Sequence, residues 1–223
     1  MTELQTRRNF LVIEDKPEES AYLKRLIGED AIVVGTYKEF ETTLQTQGYA
    51  AVLSDLYFPS GYESHDSRHI EMKNQTTRAL GTYISQYYAT NPIARALDQL
   101  GKAGFGDTRE GVLEKVVMIE GENGVLKLPH IKNTLDDALR RADQEKAYRE
   151  LQAKIESEEH LMPLGIFVYK EATRQGIPCV IVTDEYHHGI EFQPFTNLVG
   201  RFFDQNIAGH KQWSEAAEFL KLL

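Results

Sequence analysis

Short apolar runs alternate with amphipathic stretches at both ends of the chain. Residues 9–13 (NFLVI), 31–34 (AIVV) and 51–54 (AVLS) have the length and continuity of buried strands. Between them, apolar residues recur at helical intervals. Tyr22, Leu23, Leu26 and Ile27 line one face of a helix that opens at Lys16-Pro17-Glu18-Glu19-Ser20. Proline fits the first turn, the acids favour the helix dipole, and Asp15 is the expected N-cap. Phe40 and Leu44 stand four apart in a second helix, 38–47, stopped by Gly48. This strand–helix alternation predicts a parallel sheet with crossover helices.

The pattern changes after Pro59. From about residue 60 to 160 the chain is polar and helix-rich. A helix is predicted over 76–88, with Leu80, Tyr83, Ile84 and Tyr87 on one side, and another over 93–100. The four glycines within 101–111 predict a loop, 112–119 reads as helix or strand, and Gly121-Glu122-Asn123-Gly124 reads as a turn. Residues 135–159 form an expected long charged helix, solvated on most of its surface. The α/β pattern then resumes. A helix over 164–174 is stopped by Gly176, and 177–183 (IPCVIVT) is apolar enough for a central strand. Residues 190–194 are the expected short last strand. A closing helix over 213–223 places Trp213, Ala216, Ala217, Leu220 and Leu223 on one face. The expected organisation is an α/β core from 1–59 and 161–223, interrupted by a mainly helical insertion, 60–160.

With 34 acidic against 25 basic side chains, the net charge is -9, which argues against direct nucleic-acid binding and against an anionic membrane surface. The single cysteine, Cys179, allows no disulfide within the chain, so a cytoplasmic location is expected. No apolar run reaches the length of a membrane span, and the N-terminal apolar run is too short and too acidic at its end for a signal peptide.

The candidate chemistry lies at strand ends. Glu14 and Asp15 follow the first strand, Asp55 follows the third, and Thr183 ends the later apolar strand. In a parallel α/β sheet, ligands sit beyond the carboxyl ends of the strands. If these strands are neighbours, three carboxylates and a hydroxyl converge there. Such an oxygen-rich set suits Mg²⁺, and an acid beside the ion could act as a nucleophile towards phosphorus.

These residues resemble a receiver domain of two-component response regulators. The resemblance rests on LVIEDKPEE, LSDLYFP, GIPCVIVTD and the tripeptide Gln193-Pro194-Phe195, and covers about the first 60 and the last 60 residues. It implies a flavodoxin-like, doubly wound parallel sheet of five strands. It implies Asp55 as the phospho-acceptor and Mg²⁺ held by Glu14, Asp15, Asp55 and the backbone carbonyl of Tyr57. Thr183 would follow the phosphoryl group. Gln193 falls where the family carries a lysine, and glutamine brings no charge. Arg68 or Lys73 could supply it. Ile190 stands where the family has its switch aromatic, and the interval from Thr183 to Gln193 is too short for a full crossover helix.

The implied function is an atypical stand-alone receiver in phosphorelay signalling. A histidine kinase or phosphotransfer protein would donate the phosphoryl group. Output would pass by protein contact to a partner protein or a second copy of the chain, since the expected last helix closes the sequence. Two alternatives stand beside it. One is a phosphorylation-independent pseudo-receiver scaffold. The other is a metal-dependent hydrolase that adds His65, His69, His187 or His188 to the acids, although polar loop residues are the simpler reading of both histidine clusters.

Overall fold

Phe10–Ile13 forms strand β1, and all four side chains are buried. Such a run needs cover on both faces, which a doubly wound parallel sheet provides. The computed structural model describes residues 9–28, 31–89, 99, 101–105, 111–112, 115, 129–157, 162–207 and 209–221. Further strands are β2 (Ala31–Val34), β3 (Ala51–Ser54), β4 (Cys179–Val182) and β5 (Phe202–Phe203). Together they form a five-stranded sheet in the order β2-β1-β3-β4-β5 with every pair parallel. The chain is thus an α/β protein with a sheet order compatible with a flavodoxin-like fold.

Helix α1 (Pro17–Ile27) carries proline in its first turn, as expected, but its N-cap is Lys16, not Asp15. Lys16 has an extended backbone and makes no side-chain cap, which leaves Asp15 outside the helix. Helix α2 (Tyr37–Leu44) opens on a capping box formed by Thr36 and Glu39, and closes before Gly48 is reached. The core on one sheet face joins Phe10, Val12, Ala51, Leu53, Val180 and Val182 to Leu23 of α1 and to α6 (Trp213–Lys221), which contributes Trp213, Ala216, Ala217 and Leu220. Alternate strand residues point the other way. There α2 packs on β1, and α5 (Gly165–Arg174) packs on β3 and β4.

Helix α3 (Ser67–Ala89) starts nine residues before its expected first residue, 76. The backbone N–H of Arg68 donates to the Asp66 carboxylate at 2.7 Å, a local start signal hidden in a polar cluster. Helix α4 (Pro129–Ser157) contains most of the predicted charged helix. The chain divides into two units, 1–79 with 154–223 and 80–153, rather than at 59 and 161. The difference follows from Ser60, His69, Met72 and Thr76, which are buried in the first unit. Within the second unit, Tyr83 meets Tyr148 edge to face at 5.4 Å between ring centroids, as a packing face would. Gly101–Phe105 makes one π-helical turn where a loop was expected, and Gly104 breaks it at φ 86°. The predicted turn at 121–124 and all but a few residues of 93–100 and 112–119 lie outside the described residues.

The expected last strand, 190–194, is not a strand. Alternation in Ile190-Glu191-Phe192-Gln193-Pro194 imitates a strand, but Pro194 sits in the first turn of a 3-10 helix, Gln193–Leu198, with Phe192 and Phe195 buried. The sheet ends instead on Phe202–Phe203, paired with Ile181 and Val182. The crossover from β4 to β5 therefore spans 183–201 and carries only this 3-10 helix. Beyond β5, Asn206–Ile207 (β6) and His210–Lys211 (β7) form a small antiparallel hairpin. Gly209 makes its turn at φ 86°, a conformation that favours glycine.

Candidate functional site

The sheet register brings the acids together. Ile13 pairs with Ser54, so Glu14 and Asp55 stand side by side just past the strand ends. The Asp55 N–H donates to the Ile13 carbonyl at 2.9 Å, and the Glu14 N–H donates to Val34 at 3.0 Å. Ser54 pairs with Ile181 on the other side, which sets Thr183 just beyond Asp55 along the same edge. Carboxylate oxygens of Glu14, Asp15 and Asp55 all lie within 4.8 Å of one another. Asp15 is exposed, whereas Glu14 and Asp55 are 1% and 3% exposed.

The cation that meets the two buried acids is Lys211. Its Nζ lies 2.7 Å from Glu14 Oε2 and 2.7 Å from Asp55 Oδ2, and the lysine is 3% exposed. Gln193 belongs to the 3-10 helix and Arg68 is bound by Glu41 and Glu71. The hairpin delivers the lysine. On one side of Lys211 in sequence, His210 Nδ1 lies 3.1 Å from Glu19 Oε1 and its ring stacks on Tyr22 at 4.1 Å. On the other, Trp213 Nε1 donates to Glu19 Oε2 at 2.9 Å. One buried carboxylate on α1 thus anchors both flanks of the lysine.

Each acid has further donors. The Leu56 N–H donates to Asp55 Oδ1 at 2.7 Å, and the Lys16 N–H donates to Glu14 Oε1 at 2.9 Å. Burial drives the Asp55 carboxyl up to about 7, because desolvation and the Glu14 charge outweigh Lys211 and the Leu56 N–H. Burial likewise raises Glu14 despite Lys211. For Lys211, burial works against the charge, but the fields of Asp55 and Glu14 more than offset it and raise its pKa. Three carboxylates against one ammonium leave a surplus of negative charge that a divalent cation could neutralise. The all-oxygen donor set fits Mg²⁺ rather than a softer metal.

Backbone packing is tight beneath the site. The Gly165 N–H donates to the Leu56 carbonyl at 3.0 Å, and a Cβ on Gly165 would stand 2.3 Å from the Asp55 carbonyl oxygen. Thr183 is fully buried, and its Oγ1 accepts from the Glu185 N–H at 3.2 Å, which leaves the hydroxyl proton free to donate elsewhere. Tyr57 is half-buried and its hydroxyl donates to the Glu191 carbonyl.

The histidines do not join the acids. Among the described residues, Glu14, Asp15 and Asp55 form the only group of three or more acids, histidines or cysteines close enough to share a metal ion. His65 is exposed before α3, and His69 is buried with Nδ1 3.0 Å from Ser60 Oγ. His187 Nδ1 lies 2.6 Å from Asp204 Oδ2, and the His188 ring sits tilted against the His187 ring, 3.9 Å between centroids. Of the residues expected at the site, the structure brings Glu14, Asp15 and Asp55 together, and beside them it places Lys211 and Gly165, which the sequence pattern did not single out. Comparison of the chain with protein-family models, with curated proteins and with solved structures found no match. No helix among the described residues is long and apolar enough to cross a membrane.

A metal ion held by this cluster would compete with a proton for the same Asp55 oxygens. With Asp55 titrating at about 7, its protonated fraction is large at pH 6 and small at pH 8. Mg²⁺ is expected to bind about tenfold more weakly at pH 6 than at pH 8. Calorimetric titration at the two pH values measures this, and equal affinities would place the ion away from Asp55.

Proposed function

We propose that the chain is a receiver-like signalling domain that accepts a phosphoryl group on Asp55. One observation carries the reading: a buried lysine bridges two carboxylates at the carboxyl edge of a parallel sheet, with a third carboxylate and a threonine beside them. Glu14, Asp15, Asp55 and the Tyr57 carbonyl would hold Mg²⁺. The ion, when bound, supplies positive charge that offsets the phosphoryl oxygens as the donor approaches.

The residues then have distinct tasks. Asp55 is the nucleophile: a carboxylate oxygen attacks phosphorus, and the bond from phosphorus to the donor's leaving atom breaks with its electron pair. Lys211 lies on Oδ2 and would stabilise the new aspartyl phosphate. Thr183 would turn its hydroxyl proton towards a phosphoryl oxygen. The donor would be a histidine kinase or phosphotransfer protein. Output would pass by contact to another protein.

A phosphorylation-independent scaffold is the second reading. It is favoured by the near-complete burial of Asp55, whose two oxygens are both already engaged. Incubation with acetyl phosphate and Mg²⁺, read by intact mass, separates the two. The expected result is a single phosphoryl adduct on the wild type and none on Asp55→Asn. Absence of an adduct on the wild type, together with absence of Mg²⁺ binding, would leave the scaffold.

A further inference from the structure

Lys211 stands on a hairpin too small to hold it. Strands β6 and β7 have two residues each and pair only with one another, outside the five-stranded sheet. An isolated two-stranded hairpin is marginal in water. Yet its lysine is 3% exposed and lies 2.7 Å from both Glu14 and Asp55. An ammonium buried between carboxylates is stabilised by them only while that geometry is held. The hold must come from outside the hairpin.

Glu19 is placed to supply it. It lies in the first turn of α1 and is 5% exposed, although glutamate is almost never buried unless paired. Its Oε1 lies 3.1 Å from Nδ1 of His210, the residue before the lysine. Its Oε2 accepts the Nε1–H of Trp213, two residues after the lysine, at 2.9 Å. Trp213 is itself fully buried in the core. Tyr22, one turn further along α1, stacks on the His210 ring with 3° between the planes. The same helix also fixes an acid of the site. Ser20 Oγ donates to the Glu14 carbonyl at 3.1 Å, just after the Lys16 N–H donates to Glu14 Oε1. Helix α1 thus sets the lysine and one of its carboxylate partners in a common frame.

We propose that Glu19 is a positioning residue for phosphoryl transfer: by bonding His210 and Trp213 it holds Lys211 Nζ on Asp55 Oδ2, and so sets the rate at which Asp55 is phosphorylated. The inference rests on the phospho-acceptor reading above. Glu19 acts through Lys211. As the bond from the Asp55 oxygen to phosphorus forms and the donor's leaving atom takes the electron pair of the breaking bond, the ammonium is already in place beside the carboxylate. A donor fixed in advance costs no reorganisation during the step.

The test compares the full-length wild type with Glu19→Ala, Glu19→Gln, Trp213→Phe and His210→Phe. The last two each remove one tie and keep a ring in its place, so they serve if Glu19→Ala does not fold. Native-state labelling with acetic anhydride, mapped by peptide mass, reads the lysine directly. Lys211 should be protected in the wild type and label about tenfold faster in Glu19→Ala, as a locally opened segment does. Adduct formation from acetyl phosphate and Mg²⁺ should slow by about tenfold or more in Glu19→Ala, and less in the two single-tie variants. Glu19→Gln should restore protection and rate towards the wild type, since its amide can accept from Trp213 and donate to His210. Mg²⁺ affinity should be kept or rise in Glu19→Ala, because an ammonium leaves the carboxylates. A merely structural role would weaken Mg²⁺ binding along with the rate, and that parallel loss would overturn the proposal. So would wild-type protection of Lys211 in Glu19→Ala, or an unchanged rate once Lys211 is exposed. Failure of the wild type to form any adduct would instead overturn the phospho-acceptor reading, and the labelling would still decide whether Glu19 holds Lys211.

Discussion

Lys211→Met is expected to destabilise the protein by about 3–5 kcal/mol at pH 8, the usual cost of leaving buried charges without their partner. The loss should be much smaller at pH 5. Asp55 and Glu14 are both raised by burial, and Lys211 is what restrains them. A carboxyl whose folded pKa lies above its unfolded value contributes stability that is present at low pH and lost as pH rises through the folded value. Without the ammonium, both folded values move further up. For Asp55, the difference between variant and wild type therefore opens from about pH 7 upward. Urea denaturation at pH 5 and pH 8 measures it. Adding Asp55→Asn to the variant should recover part of the loss at pH 8 by removing one of the stranded charges. An equal loss at both pH values would mean that the lysine acts through packing rather than through its charge on the acids; its Nζ also lies 5.7 Å from the Trp213 ring centroid.

Gly165→Ala is the second large effect, expected at about 3 kcal/mol or more because the clash is with backbone rather than a yielding side-chain tip. The new Cβ would lie 2.3 Å from the Asp55 carbonyl oxygen and 3.0 Å from Leu56 Cα. Relief requires α5 to move away from the end of β3, or Asp55 to move out of register with Glu14. Either displacement should weaken Mg²⁺ binding as well as stability. Gly48→Ala is the reference, since nothing lies within 4 Å of its would-be Cβ. Thermal melts with and without Mg²⁺ separate the cases. A Gly165→Ala protein that melts as the wild type does and binds Mg²⁺ equally would show that the packing beneath Asp55 is looser than these distances imply.

Strands β1 to β4 could be read from the sequence because each is a run of four residues buried or half-buried through local apolarity. The same runs located the acids, since a polar residue directly after a buried strand marks its carboxyl end. Strand β5 could not be read. It has two residues, too few for any periodicity, and it exists because Arg201 and Phe203 carbonyls accept from Ile181 and Thr183. The imitation at 190–194 shows the converse: alternation is necessary for a half-buried strand but not sufficient, and the proline decided the outcome. The division at 79 and 154 was hidden for a similar reason. A polar segment such as 60–76 reads as surface until its neighbours are known, yet Ser60 and His69 bury themselves by bonding each other.

Lys211 is the clearest limit. In the sequence it is a lysine between a histidine and a glutamine, the pattern of an exposed turn. Lysine is almost never fully buried unless it is paired. Its partners here are 197 residues away at Glu14 and brought near by β1, while Asp55 is supplied by β3. The sequence by itself determined the α/β class, four of the five sheet strands and the acids at their ends, because apolar runs and strand termini are properties of neighbouring residues. Only the tertiary structure decided which cation meets those acids, where the fifth strand lies, and that His187 faces Asp204. Each of these depends on strands from distant parts of the chain lying side by side, and no local pattern records that adjacency.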